Sequence, residues 1–527
     1  MRKSLVAFGG SLFILAGCAA ATDGGVVAEQ AGASTSGAAA MPVLRRWIVV
    51  TKQDHLDEGE SAVARTGGHA LSALRELGVT SAVGDDAFAA AAAQDPAVEA
   101  VGLEPFYALP EVLVAPSGDA QADARGDAAE GASAPTAADD LYALQWNLRR
   151  VRAPGAWARL PLNVQRRATV AVIDSGVLDT HPDLAGAVVD RVATNLCPET
   201  DGSSPSSPRY TLRVDLEKNP GWQPGDPCEP APNVRYDQHG THVAGIIGAR
   251  FGGGRVVGVG PGLSIAAYKV FDRIVIPTSN GPTEVFAAAQ SSVFAAVADA
   301  VAKGYPVINL SLGSAVDRTT EAGRARYEAW ARLARHARRH GTLLVGAAGN
   351  EATRSSETAR TLPGDLPTVV GVSATGTDAL SVADGNLVAS GADVLAPYSN
   401  YGEPVDLAAP GGDCGPVAGT CDPRHLILST IVRPDGTPGY GFAGGTSMAA
   451  PHVAAAAGLV FAAGRRLPVD FGAAYVLLTA ERLGPAEKFG RGMVDVEKAA
   501  IPASLALPRR LELPAGLAQR GAAADPG

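Results

Sequence analysis

Between residues 168 and 410 the chain repeats one pattern, a short apolar run followed by a longer stretch of helical character. The runs are ATVAVID (168–174), LSIAAYKV (263–270), PVINLSL (306–312), TLLVGAAG (342–349), TVVGVSA (368–374) and PVDLAAP (404–410). Between the third and fourth, residues 322–339 place apolar side chains at helical spacing. Short runs without polar alternation are strands covered on both faces, which requires a parallel sheet with helices above and below it. The pattern therefore predicts a doubly wound, mostly parallel α/β domain over residues 141–501. In such a sheet, reactive groups gather beyond the carboxyl ends of the strands.

The 527 residues, 46% of them apolar, suffice for more than one core. A net charge of −10 without any block of Lys or Arg excludes a nucleic-acid partner, because phosphate binding needs concentrated positive charge. Arg2 and Lys3 precede an apolar run from Leu5 to Ala16, too short to span a bilayer and typical of an export signal. It ends in Leu15-Ala16-Gly17-Cys18, which resembles the lipobox of bacterial lipoproteins, whose cysteine carries the lipid. An ordinary signal peptide or an uncleaved anchor are the other readings, and export follows from each.

The expected layout is a lipoprotein signal over 1–17, a tether over 18–42, a small α+β unit over 43–113, a flexible linker over 114–140, the main α/β domain over 141–501 and an irregular tail over 502–527. In the small unit, a strand over 46–51, helices over 60–77 and 87–94 and a strand within 95–105 are expected. Export permits disulfides. With Cys18 lipidated, four of the five cysteines remain, and pairing Cys197 with Cys228 and Cys414 with Cys421 is the simplest of three connectivities.

Three motifs carry chemistry. The strand ATVAVID delivers Asp174 to the functional edge. DQHGTHVAGIIGA (237–249) sets His239 at the start of a helix, with Gly240 leaving room for another backbone. His239 and His242 lack the spacing and the glutamate of a zinc helix. GFAGGTSMAAPHVAAA (441–456) places Ser447 behind Gly445, at the positive end of an apolar helix. A serine there attacks a carbonyl once a base takes its proton.

Together Asp174-Ser-Gly, His239-Gly-Thr-His-Val-Ala-Gly and Gly445-Thr-Ser-Met-Ala-Ala-Pro-His-Val resemble the subtilisin-like serine proteases in residues and order. The resemblance runs from about 141 to 500. It implies that Asp174 orients His239, that His239 takes the proton of Ser447, and that Asn350 in AAGN (347–350) joins the Ser447 amide in stabilising the oxyanion. It also implies that a peptide is held by Ser311, Leu312 and Gly313 on one side and by Ala347, Ala348 and Gly349 on the other. Thr361, where many relatives carry Gly, shortens the pocket toward small or medium apolar side chains. The implied substrates are proteins or peptides, with no cofactor required for the chemistry.

Asp183 matches a residue that often ligates calcium in relatives, but the loop RFGGGRV (250–256) lacks the side-chain oxygens usually found there, so a structural calcium stays open. The unit over 43–113 resembles the inhibitory propeptides of the family, which makes it an intramolecular partner. The implied place is outside the cell membrane, lipid-anchored as a precursor and released on maturation. A catalytically silent relative that binds peptides in the same cleft is the alternative.

Overall fold

The computed structural model describes residues 45–109, 115–116, 134–194, 238–278, 281–417, 419–464 and 467–500. Its centre is an eight-stranded sheet. The strands run in the order Asp393–Leu395, Val369–Thr377, Leu343–Ala347, Val307–Leu310, Thr169–Asp174, Ser264–Lys269 and Val188–Ala193, with Leu407–Pro410 also pairing with Val369–Thr377. All pairings are parallel except that of Asp393–Leu395. The doubly wound sheet expected from the apolar runs is present, and all six runs are strands. The chain leaves Thr169–Asp174 to build one side of the sheet and later returns to build the other. Asp174 thus ends the strand at the topological switch point, where open α/β sheets bind ligands.

Four helices matter for the site: α1 (His239–Gly248), α2 (Gln290–Ala302), α3 (Glu321–Arg339) and α4 (Thr446–Ala463). Helix α4 is apolar all round because it is covered all round. Its 18 residues have a mean hydropathy of 1.4, long and apolar enough to cross a membrane, yet 89% of them are buried inside the fold. It packs so closely under the central strand that a Cβ on Gly458 would lie 3.0 Å from Val170.

The N-terminal unit is a four-stranded antiparallel sheet in the order His69–Leu74, Val79–Gly84, Arg45–Thr51 and Val98–Leu103. One face carries the helices Gly59–Arg65 and Asp86–Ala92, with Val49, Val63, Phe88 and Val101 in its core. The helix expected over 60–77 is corrected: it stops at Arg65, and His69–Leu74 is an edge strand. Gly67, at φ +87°, and Gly68 break the helical run before the Ala/Leu pattern continues. The other face rests on α3, so tightly that a Cβ on Gly102 would stand 2.9 Å from the Ala322 backbone. Arg332 of α3 is 4% exposed beneath it, donating to the carbonyls of Thr51 (2.7 Å) and Leu77 (3.0 Å) and to the Glu99 carboxylate (2.6 Å). Beyond the unit, Phe106–Ala108 adds an antiparallel strand to Ala287–Ala289 at the end of a hairpin formed by Asp272–Thr278 and Gly281–Ala289.

The linker boundary is also corrected. Residues 134–140, counted above with the linker, are folded onto the main domain: Asp139 is 3% exposed, and both its oxygens accept the Gly252 N–H at 2.9 and 3.0 Å. The signal, Cys18, the tether and the tail lie outside the described residues.

Candidate active site

Asp174 and His239 meet in the interior. The imidazole Nδ1 donates to Asp174 Oδ1 at 2.8 Å and lies 3.0 Å from Oδ2, and neither side chain is more than 2% exposed. A second donor, the Ser175 N–H, reaches Oδ1 at 2.7 Å. The carboxylate is thereby fixed in orientation before it meets the ring. Gly240 is what permits the approach, since a Cβ there would sit 2.2 Å from the Gly176 carbonyl and 3.1 Å from Asp174 Oδ1. Its N–H donates to Ser175 Oγ at 3.0 Å, tying the first turn of α1 to the end of the strand.

Ser447 stands in the first turn of α4, which packs against α1. Its hydroxyl donates to the Ser311 carbonyl at 3.2 Å, and the Ser311 hydroxyl donates back to the Ser447 carbonyl at 2.8 Å. Gly445 precedes the helix and brings no side-chain cap of its own, and the Met448 N–H is taken by the Gly445 carbonyl at 3.0 Å. Asn350 closes the other side. Its Oδ1 accepts both the Thr446 N–H (2.9 Å) and the Thr446 hydroxyl (2.8 Å). With the oxygen so committed, Nδ2 turns toward Gly445, whose Cβ, if present, would lie 3.6 Å from it.

The flanking residues fall on two walls. Ser311, Leu312 and Gly313 follow strand Val307–Leu310, while Ala347, Ala348 and Gly349 end strand Leu343–Ala347. Position 349 requires Gly on two counts: its φ is +106°, and a Cβ would strike Asn400 Nδ2 at 2.3 Å. Thr361 is 5% exposed opposite Gly313, and its Cγ2 would meet a Cβ there at 3.2 Å. Its hydroxyl accepts from Asn400 Nδ2 (3.2 Å), which also donates to Glu351 (2.6 Å), so this part of the pocket is polar. Sequence reasoning missed Thr446, Ser175 and Asn400. Thr446 lies inside the quoted serine motif, whereas Asn400 offered no local signal.

Among the described residues no group of three or more His, Cys, Asp or Glu stands where it could hold a metal ion. His242 Nε2 is shared between the carbonyls of Ile427 (3.0 Å) and Gly441 (3.2 Å), and burial lowers its pKa to about 3. Asp183 fails as a calcium centre on its donor set. Its Oδ2 accepts the Arg255 N–H at 3.3 Å, and the Val256 N–H and the Tyr440 hydroxyl also bond the carboxyl. Both oxygens of neighbouring Asp139 take N–H groups. Of the four carboxylate oxygens of these two residues, Asp183 Oδ1 alone is left without a hydrogen-bond partner, far short of the six to eight oxygens calcium takes. Burial instead raises Asp183 to about 7. Cys414 and Cys421 form a disulfide, whereas Cys197 and Cys228 lie outside the described residues.

Residues 165–492 match the model of the subtilase family. The chain belongs to that family. Among relatives, this subtilase is 32% identical over 297 residues to the thermophilic serine proteinase of Bacillus sp. (strain AK1), covering 56% of its own length and about half (52%) of that relative's. It is 30% identical over 337 residues to the subtilisin of Bacillus pumilus, covering 63% of this chain and 90% of that one. In fold it is similar to the epidermin leader peptide processing serine protease from Staphylococcus aureus, with a TM-score of 0.60, 20% identity, and coverage of 89% of this chain and all of that one.

Proposed function

We propose that this subtilase is an exported serine endopeptidase that cleaves proteins or peptides through an acyl-enzyme formed on Ser447. The observation that carries the reading is the buried His239–Asp174 hydrogen bond at the start of α1, the helix that packs against α4 with Ser447 in its first turn. Asp174 fixes the tautomer of His239, leaving Nε2 to take the hydroxyl proton and later return it to the leaving amine. Ser447 swings from the Ser311 carbonyl to do so. The Ser447 N–H and Asn350 Nδ2 bind the oxyanion, and an extended peptide lies between 311–313 and 347–349, its side chain before the scissile bond directed at Thr361. No cofactor enters these steps.

The unit over 43–113 acts as an intramolecular inhibitor, removed by cleavage before residue 134. Lipid on Cys18 anchors the precursor, and removal of the unit releases the protease from the membrane. A fluorophosphonate probe tests the chemistry: the wild-type protein is labelled on Ser447, while Ser447→Ala and His239→Ala are not. Absence of labelling in a processed, folded wild-type protein overturns the reading. Intact mass and N-terminal sequence of the product test lipidation and processing.

A further inference from the structure

Helix α4 carries a proline in its interior, Pro451, more than one turn past the start of a helix that is buried all round. Proline is the least favourable residue at such a place. It has no N–H to give to the carbonyl one turn back, which is that of Ser447, and its ring crowds that carbonyl. The carbonyl that loses its helical donor thus belongs to the residue that carries the nucleophile.

The Ser311 hydroxyl takes the missing place. It donates to the Ser447 carbonyl at 2.8 Å, while the Ser311 carbonyl accepts the Ser447 hydroxyl at 3.2 Å. A hydroxyl has one hydrogen and is free to rotate, so its direction has to be set by a neighbour. Asn309, fully buried in strand Val307–Leu310, sets it: its Nδ2 donates to Ser311 Oγ at 2.9 Å, which occupies a lone pair and sends the hydroxyl hydrogen on to Ser447. The next carbonyl of α4 is also held by a side chain. His452 Nδ1 donates to the Met448 carbonyl at 2.8 Å, and its Nε2 accepts from Asn147 Nδ2 at 2.8 Å.

We infer that Asn309 and Ser311, the latter through its hydroxyl, are positioning residues for the nucleophile, a claim that rests on the protease reading above. They supply the carbonyl that Pro451 leaves without its helical donor, and they tie the Ser447 backbone to the end of strand Val307–Leu310. An alanine at 451 would bond the same carbonyl along the helix axis and leave Ser447 aligned to α4 alone. With proline there, the serine is aligned to the strand end that also holds the peptide, so nucleophile and scissile bond share one frame.

The test uses the active protein obtained by expressing the full chain, with kcat and KM measured on a short peptide and kcat expressed per serine labelled to completion by a fluorophosphonate. Ser311→Ala keeps the backbone that holds the peptide and removes the tie: kcat per labelled serine falls roughly 10-fold with KM within a few fold. A loss of labelled protein with kcat per labelled serine unchanged would mark a merely structural role and overturns the inference. Pro451→Ala restores the N–H, and in that background the Ser311→Ala loss shrinks to about 2-fold or less. The same loss in both backgrounds overturns the inference and leaves the protease standing. Where the proline variant does not fold, Asn309→Leu decides: alone it lowers kcat per labelled serine roughly 3-fold, and added to Ser311→Ala it lowers it no further, because it acts through that hydroxyl. Losses that multiply overturn the inference. Wild-type protein that neither cuts any peptide nor takes the label overturns the protease reading and the positioning with it.

Discussion

Thr446 holds Asn350 by the oxygen, with backbone N–H and side-chain hydroxyl both donating to Oδ1 at 2.9 and 2.8 Å. A carboxamide pinned at its acceptor must present its donor, and the side it presents is the one Gly445 leaves open. Asn350→Ala is expected to lower kcat by about 10²- to 10³-fold with KM within a few fold, because the bond forms only once the oxyanion exists. Thr446→Val removes one of two tethers and lowers kcat by roughly 10-fold. Steady-state hydrolysis of a short peptide measures both.

Gly240 admits the Gly176 carbonyl where a methyl would stand, 2.2 Å away. Gly240→Ala pushes α1 off the end of strand Thr169–Asp174 and lengthens the His239–Asp174 bond. The variant loses roughly 10²-fold or more in kcat and about 2 kcal/mol of stability, in line with overpacked core positions. Urea unfolding and peptide hydrolysis on one preparation separate the two losses. Unaltered kinetics would show that the strand end yields instead.

Arg332 is buried by the N-terminal unit alone on one side, with two carbonyls and Glu99 as partners. Arg332→Ala leaves those carbonyls covered and unpaired, weakening the docking of the unit by about 2–4 kcal/mol. In a Ser447→Ala background, amide exchange across 45–109 speeds up by one to two orders of magnitude while the main sheet stays protected. Uniform acceleration in both parts would mean that Arg332 supports the whole fold instead.

Stability against pH follows from buried titratable groups. Burial lowers His181 to about 4, His242 to about 3 and His452 to about 4, from an ordinary 6.5. These imidazoles are neutral when folded, so their contribution is complete above pH 6.5 and is lost as pH falls toward 3–4. Asp183, raised from 3.8 to about 7, has the opposite sign: its contribution is present below about 4 and is lost as pH rises through 7. Asp139, Asp365 and Asp413 are raised by burial as well and share the sign of Asp183. In the Ser447→Ala background, Asp183→Asn is expected to tilt the stability profile between pH 7 and 4 toward greater loss on acidification, and His242→Asn to tilt it the other way. A shallower slope in Asp183→Asn would contradict the burial of a neutral carboxyl.

The parallel sheet was legible because strands buried on both faces read as uninterrupted apolar runs, and each of the six runs is a strand in the fold. The Asp174, His239 and Ser447 motifs were legible because each sits at a strand end or a helix start, where local sequence dictates backbone. What escaped was set by distance along the chain. Asn350 and Thr446 are 96 residues apart, and Asn400 reaches Thr361 over 39, with nothing local to announce either contact. The edge strand His69–Leu74 reads as helix in sequence because Ala and Leu are strong helix formers. Two glycines and the neighbouring strand Val79–Gly84 decide between them.

Helix α4 has no face turned to water, and this gives Ser447 an unusual mount. A surface helix can tilt or slide by trading one solvent contact for another, whereas α4 is hemmed in by strands below and α1 beside it. Ser447 is therefore registered against the sheet as firmly as the sheet is against itself. Mobility in this molecule has to reside in what approaches the serine, because the serine's own support has nowhere to go.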